Sequence, residues 1–263
     1  MKTPSSLPVV KSAARSLQIL EYFEQIQRPA TLVEIAQAMA WPASSASLLL
    51  RTMCQMGYLN RDPETHEFAP TMRLPLLGGW IRAERADGHA LATLVAGAQE
   101  ATGLSAVLST RHGLYVQYIY VSRATARGFA SRRPSAGTLR PVCLCAAGYM
   151  MLAAETDERI ALVARHAAAV LKRRISLDVL MEGVAAARRS GYAWQAETNT
   201  PGVGDVAVRL RENDPFGQPL VLSVGAASDV VRESHQQLGN TLRKLVKHFS
   251  ATLPPAPPSQ AAE

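Results

Sequence analysis

The amino-acid sequence predicts an α+β fold in two parts, a small helical unit with a hairpin and a larger unit of sheet with flanking helices. Two observations carry this. Residues 12–69 read as three short helices followed by two short runs around a polar turn, and from Thr93 strand patterns alternate with helical ones. A third sets the bounds: 263 residues, 48% hydrophobic and 19% charged, describe a globular chain of one large or two modest domains. The longest uncharged, largely apolar run, residues 141–154, has 14 residues. A membrane helix needs about 20, so this run reads as a buried core segment. The first 16 residues hold no apolar stretch of secretory length, so a soluble cytoplasmic protein with no membrane partner is expected. Three cysteines, two of them at i and i+2, do not suggest a disulfide framework. The net charge of +7 invites an anionic partner such as nucleic acid, but it is spread over both parts of the chain.

The elements follow in order. Residues 12–25 carry Ala13, Leu17 and Leu20, and Ile19, Phe23 and Ile26, at helical spacing, and Arg28-Pro29 ends the helix. Thr31 stands three residues before Glu34, the spacing of a reciprocal capping box, and opens a second helix with Leu32, Ile35, Ala36 and Met39 inward. Trp41-Pro42 interrupts it. A third helix runs over residues 43–56, with Leu49, Leu50, Met53 and Met56 inward, and Gly57 closes it. Tyr58-Leu59, a polar turn over 60–65, and Glu67-Phe68-Ala69 make a hairpin. Together these form a winged helix-turn-helix. A linking helix is expected over residues 71–85, disturbed at its start by Pro75. Strands are expected over 104–109, 114–121, 206–210 and 220–224. Helices are expected over 142–154, 157–170, 176–190 and 230–250, the third closed by Arg188-Arg189 and Gly191. The Pro-rich tail, 251–263, reads as disordered.

Read together, these segments resemble the IclR family of bacterial transcriptional regulators over residues 9–250. The resemblance rests on VVKSAARSLQILEYF, TLVEIAQAM, PASSASLLLRTMCQMGYL and the wing. In the second half it rests on GTLRPVCLCAAGYMMLAA, SGYAWQAE, PGVGDVAV and FGQPLVLSV. It implies a winged helix-turn-helix DNA-binding domain (9–70), a linker helix (71–90) and a GAF-like effector-binding domain (91–250). It also implies homodimers, or dimers of dimers forming homotetramers, on double-stranded operator DNA, and no cofactor. The expected function is a ligand-responsive regulator, by default a repressor, of catabolic or related metabolic genes.

A helix seated in the major groove presents its N-terminal residues to base edges, here Ala43, Ser44, Ser45 and Ser47. Arg51, one turn on, can reach a phosphate or a guanine, and Arg61 lies on the wing. Read from the local pattern alone, a protein-interaction module with a serine-rich face stays open. Relatives commonly carry a basic residue directly before the Leu-Leu pair, where this chain has Leu48. Arg15 supports the first helix, meets a phosphate or is a solvated surface residue; the sequence leaves all three open.

In the second domain the resemblance implies a pocket for a small organic effector, an organic acid or an aromatic compound, between the sheet and the apolar helix. Cys143, Cys145, Ala146 and Gly148 belong to its lining. The loop at residues 202–206, with Asp205, and the pair Ser223 and Gly225 complete it. Helix N-terminal amides suit a carboxylate, and Gly148 is expected to leave room for it. Asp205 opposes an anion, and Tyr149, Met150 and Trp194 point instead to an aromatic or amidated ligand. Core packing is the competing reading of each. The six histidines are scattered, with no metal-ligand spacing, and neither a nucleophile elbow nor a phosphate loop is present. A hydrolase or transferase using Cys143 as nucleophile, with an N-terminal interaction module, is the alternative to a regulator.

Overall fold

The computed structural model describes residues 10–77, 88–124, 134–214 and 217–253. The chain divides into two compact units, Met1–Ile81 and Arg82–Glu263.

The first unit holds α1 (Lys11–Ile26), α2 (Leu32–Met39), α3 (Ala43–Gln55), β1 (Leu59–Arg61), β2 (Phe68–Pro70) and α4 (Arg73–Leu77). Ile19, Tyr22, Phe23, Ile35, Leu50 and Met53 meet in one core. Of the two apolar stripes on α1, only the one through Ile19 and Phe23 is buried; Ala13 and Leu17 face solvent. Met56 is exposed as well, because it caps α3 rather than continuing its inner face. Gly57 has φ +78°, as a helix stop requires. The capping box is half made. The Glu34 amide donates to Thr31 Oγ1 at 3.3 Å. The Glu34 carboxylate does not reach back; it accepts from Arg28 and from Tyr22 Oη. The Arg28 guanidinium offers a stronger, charge-assisted partner, and holds the Glu34 carboxyl below its ordinary range. The hairpin is tied back to the chain before α2. Phe68 and Ala30 exchange both backbone hydrogen bonds, 2.8 and 3.0 Å.

The second unit holds α5 (Gly88–Thr102), β3 (Ser105–His112), β4 (Tyr115–Ser122) and β5 (Leu139–Pro141). A 3-10 turn (Val142–Leu144) leads into α6 (Ala146–Leu152), α7 (Asp157–Leu171) and α8 (Leu177–Ser190). Then come β6 (Ala193–Ala196), β7 (Val203–Asn213), β8 (Pro219–Ala227) and α9 (Ser228–Thr252). The six strands form one antiparallel sheet in the order β5-β4-β3-β8-β7-β6. Both faces are covered. Residues of α6, α7 and α8 pack with Val116, Ala207 and Val221 on one face. Residues of α5 and α9 pack with Val206, Val208, Leu222 and Val224 on the other. Successive strand residues thus serve opposite cores, as the pleat requires.

Several expectations change. The strand expected over 206–210 extends from Val203 to Asn213, so Asp205 lies in β7 and not in a loop. Both edge strands, β5 and β6, were unexpected: they are three and four residues long, too short for alternation to show. The helix expected over 71–85 is described only as α4, since residues 78–87 lie outside the described ones, as does most of the tail. A separate helix, α5, starts at Gly88, ahead of the expected change of character at Thr93. The apolar run at 142–154 is broken at Cys145, whose extended backbone separates the 3-10 turn from α6. For α8, Ser176 caps the start and Gly191, with φ +74°, the end, as expected. Among the described residues no helix is long and apolar enough to cross a membrane.

Candidate functional site

The first site is the outer side of α3. Ala46, Leu50 and Met53 turn inward, which leaves Ser44, Leu48, Arg51, Thr52 and Gln55 exposed. Their spacing of i, i+4, i+7, i+8 and i+11 is one continuous helical stripe. Of the expected contacts, Ala43 and Ser44 are exposed, whereas Ser45 and Ser47 are half-buried. Ser47 Oγ accepts from the Arg51 guanidinium at 3.1 Å, which holds that side chain along the helix. Leu48 is 67% exposed. The Thr52 hydroxyl turns back to the Leu48 carbonyl, 2.9 Å. The stripe therefore combines hydroxyl, guanidinium and apolar chemistry, all of which base edges and thymine methyls can meet.

The turn ahead of α3 is set by Ala40, in the left-handed region at φ 55°, and by Trp41-Pro42. Arg15 lies 4.8 Å over the Trp41 ring. Among the three readings of Arg15, this contact favours support: it pins α1 to the turn that aims α3. On the wing, Asp62 Oδ1 accepts from the amides of Glu64 and Thr65, 2.7 and 2.9 Å, which fixes the tip. Those amides hold its carboxyl below the ordinary range. Arg61 is exposed, with its guanidinium 5.8 Å from the centre of the Phe68 ring.

The second site lies on the sheet face that packs against α6. On β8, Val221, Ser223 and Gly225 share this face; on β7, Asp205 and Ala207 do. Asp205 and Gly225 are direct cross-strand neighbours. A Cβ built on Gly225 would meet, among the described residues, only the Gly204 carbonyl oxygen, at 3.7 Å, so open space lies in front of it. Asp205 Oδ2 accepts from the Ala146 amide at 2.9 Å, and the Ala147 amide also points at the carboxylate. Protein surrounds the carboxyl, and burial raises it to about 7; these two amides and Arg140 pull it down by less. Asp205 nevertheless keeps accessible surface, as do Gly225 and Tyr118. A group enclosed by protein yet still accessible lies in a recess. Burial and the nearby Asp205 raise the Tyr118 phenol to about 12.

The other expected lining residues have packing partners of their own. Gly148 leaves no room: a Cβ there would fall on the Val142 carbonyl, so its missing side chain serves the close approach of the 3-10 turn to α6. Tyr149 is buried with its ring against Gly183 of α8, near enough to Cys145 and Asp205 for their charges to act on its phenol. Met150 is core. Trp194 is on the opposite face, stacked on His235 of α9 with ring centres 4.4 Å apart. Cys143 is buried in the 3-10 turn, and burial raises its thiol to about 11 despite Arg111. Cys145 is buried too, its Sγ 3.5 Å from the Pro141 carbonyl oxygen, and burial pushes its thiol up strongly. The recess thus gathers Asp205, Ser223, Gly225 and the backbone of Ala146 from the expected set. It adds Tyr118, whose only trace in the sequence is an aromatic on an alternating strand.

With this geometry, the comparisons with known proteins have a place. The model of the IclR helix-turn-helix domain matches residues 12–63. The model of the bacterial transcriptional regulator IclR C-terminal domain matches residues 90–251. The HTH-type transcriptional regulator XynR of Escherichia coli (strain K12) is 27% identical over 210 residues, covering 77% of this chain and 81% of that protein. Among solved structures, an IclR transcriptional regulator from Alicyclobacillus acidocaldarius is 26% identical with a TM-score of 0.55, over 93% of this chain and 99% of that one. The repressor BlcR of Agobacterium tumefaciens, 19% identical, shares the fold with a TM-score of 0.53 over 92% of this chain and 97% of that one.

Proposed function

This chain belongs to the IclR family of bacterial transcriptional regulators, with an N-terminal DNA-binding domain and a C-terminal effector domain, and from that premise we propose that it is a ligand-responsive repressor of catabolic or related metabolic genes. In this reading residues 9–70 read the operator, 71–90 link, and 91–250 hold the effector. The protein acts in the cytoplasm, where the chromosome is, as a homodimer or dimer of dimers on double-stranded DNA. Repression follows from occupancy, because a dimer on two half-sites covers promoter DNA. The observation that carries the reading is the exposed stripe of α3, with Ser44, Leu48 and Arg51 on one face beside a wing bearing Arg61. The effector enters the recess over Gly225.

A hydrolase or transferase using Cys143 is not supported. A nucleophilic cysteine needs its thiolate, and burial here holds the thiol protonated.

The test is a gel-shift titration of the full chain on its own upstream DNA. Arg51→Ala should weaken binding by about 1–3 kcal/mol, or roughly five- to 150-fold, with the helix content unchanged by circular dichroism. A purely phosphate contact would instead give a loss uniform across sequences, and a salt slope lower by about one unit. Unchanged affinity on every sequence removes Arg51 from the interface.

A further inference from the structure

The recess carries a specificity of its own, and the argument rests on the reading of the second unit as an effector domain. A carboxylate offers about four acceptor positions, and two backbone amides fill at most half of them. The open space in front of Gly225 adjoins Asp205 across the β7–β8 pair. Whatever occupies that space meets Asp205 as an acceptor, with the Arg140 guanidinium near enough to act on the same carboxylate. The amides at the start of α6, which would otherwise serve a bound anion, already donate to Asp205.

We propose that the recess over Gly225 takes a small molecule through an N–H or O–H donor directed at Asp205, and that it discriminates against ligands whose only polar group is a carboxylate. The physical reason is the state of Asp205. Burial has stripped it of water without full replacement, so its carboxyl stands near 7. A hydroxyl or ammonium group supplies the missing donor. A ligand carboxylate instead sets a like charge beside ionised Asp205 in a poorly solvated place, or binds only while Asp205 keeps its proton. Tyr118 adds a phenol close to the same carboxylate and an aromatic surface beside it. The Arg140 guanidinium is 5.9 Å from the centre of that ring.

Two matched sets of probes separate the classes: butan-1-ol, butylamine and butyrate, and benzyl alcohol, benzylamine and benzoate. Binding to the full chain is followed by NMR titration, and operator occupancy by gel shift with the same compounds. The alcohol or the amine of a set should bind at least tenfold more tightly than its carboxylate, and the better of the two tells whether a hydroxyl or an ammonium is preferred. Asp205→Asn should erase that preference. Gly225→Val fills the open space and leaves the Asp205 contact to α6 in place; it should abolish binding of every probe while the protein stays folded. If Asp205→Asn fails to fold, Gly225→Val still decides whether the recess is the site. Tighter binding of the carboxylates by wild type overturns the proposed selectivity and leaves the effector reading intact. Asp205-dependent binding that never alters operator occupancy sustains the selectivity and overturns the effector reading. No binding by any probe at millimolar concentration removes the recess as a small-molecule site.

Discussion

In the proposed function the stripe on α3 and the recess over Gly225 both face a partner, but they are made differently. The stripe comes from twelve consecutive residues, Ser44 to Gln55, whose outward direction follows from helix geometry once Ala46, Leu50 and Met53 turn inward. The recess draws Tyr118, Ala146, Asp205 and Gly225 from β4, α6, β7 and β8. On α3 an apolar residue is left in water; in the recess an ionisable one is taken out of it. A surface that meets a large charged partner can stay exposed and decouple from stability. A recess must be carved from the core, so its polar groups are tied to the stability of the unit around them.

This contrast can be tested, starting where the effect is largest. Leu50 and Leu48 lie on opposite sides of α3, fully buried and 67% exposed. Leu50→Ala should lower the stability of the first unit by about 2–5 kcal/mol, whereas Leu48→Ala should change it by less than about 0.5 kcal/mol. Chemical denaturation of both variants checks this, and an equal loss would mean that the outer side of α3 is packed. In the second unit, Gly148 and Gly225 make the equivalent pair. Gly148→Ala forces the Val142 backbone aside and should cost about 1–3 kcal/mol or more. Gly225→Ala should cost little, because its Cβ finds ordinary contact. Thermal melts that show equal losses would close the recess.

A pH-dependent effect comes from Asp205. Its carboxyl is raised in the folded state, to about 7, above the ordinary value of 3.8. The folded protein therefore binds this proton more tightly than the unfolded chain does, and the contribution to stability is greatest in acid. It is lost as pH rises from about 4 to about 7, by at most about 1.4 kcal/mol per pH unit, and is flat above that. Tyr118, Tyr149 and Cys145 lie around it with their own protons held tightly, so none of these three titrates between pH 5 and 8. The melting temperature of wild type minus that of Asp205→Asn should fall between pH 5 and pH 7. A flat difference would show that Asp205 is solvated. The smallest effect belongs to Leu48. If it meets a thymine methyl, replacing that thymine by uracil in the operator should cost wild type roughly 0.8 kcal/mol and Leu48→Ala nothing. Equal sensitivity of the two proteins would take Leu48 off the base edges.

Much of the first unit can be read from its residues. Thr31, Gly57, Ser176 and Gly191 mark helix ends in both units because a cap acts within four residues of itself. The Glu34 carboxylate departs from its expected place for a nonlocal reason: Arg28 and Tyr22, from the chain before the motif, outcompete the cap. Arg15 is similar. Its partner Trp41 lies 26 positions along, and nothing between them announces the contact. In the second unit, Tyr149 and Trp194 have the composition of a ligand pocket, yet one packs on α8 and the other on α9.

By itself the sequence determined most of the helices and their caps, the wing, the order of the two units and the family, because each depends on short periodicities or on residues in a fixed order. It also determined that an apolar residue, Leu48, directly precedes the Leu49-Leu50 pair. Only the tertiary structure decided that Gly148 is filled by backbone and Gly225 is open, although the two glycines look alike in the sequence. It likewise moved Asp205 from a loop to the sheet face beneath α6. The reason is that a side chain's direction in a strand is local, whereas what stands opposite it is set by strand pairing. The pairs β3–β8 and β7–β8, and the helix laid over them, decide which residues share a space and which carboxylate loses its water.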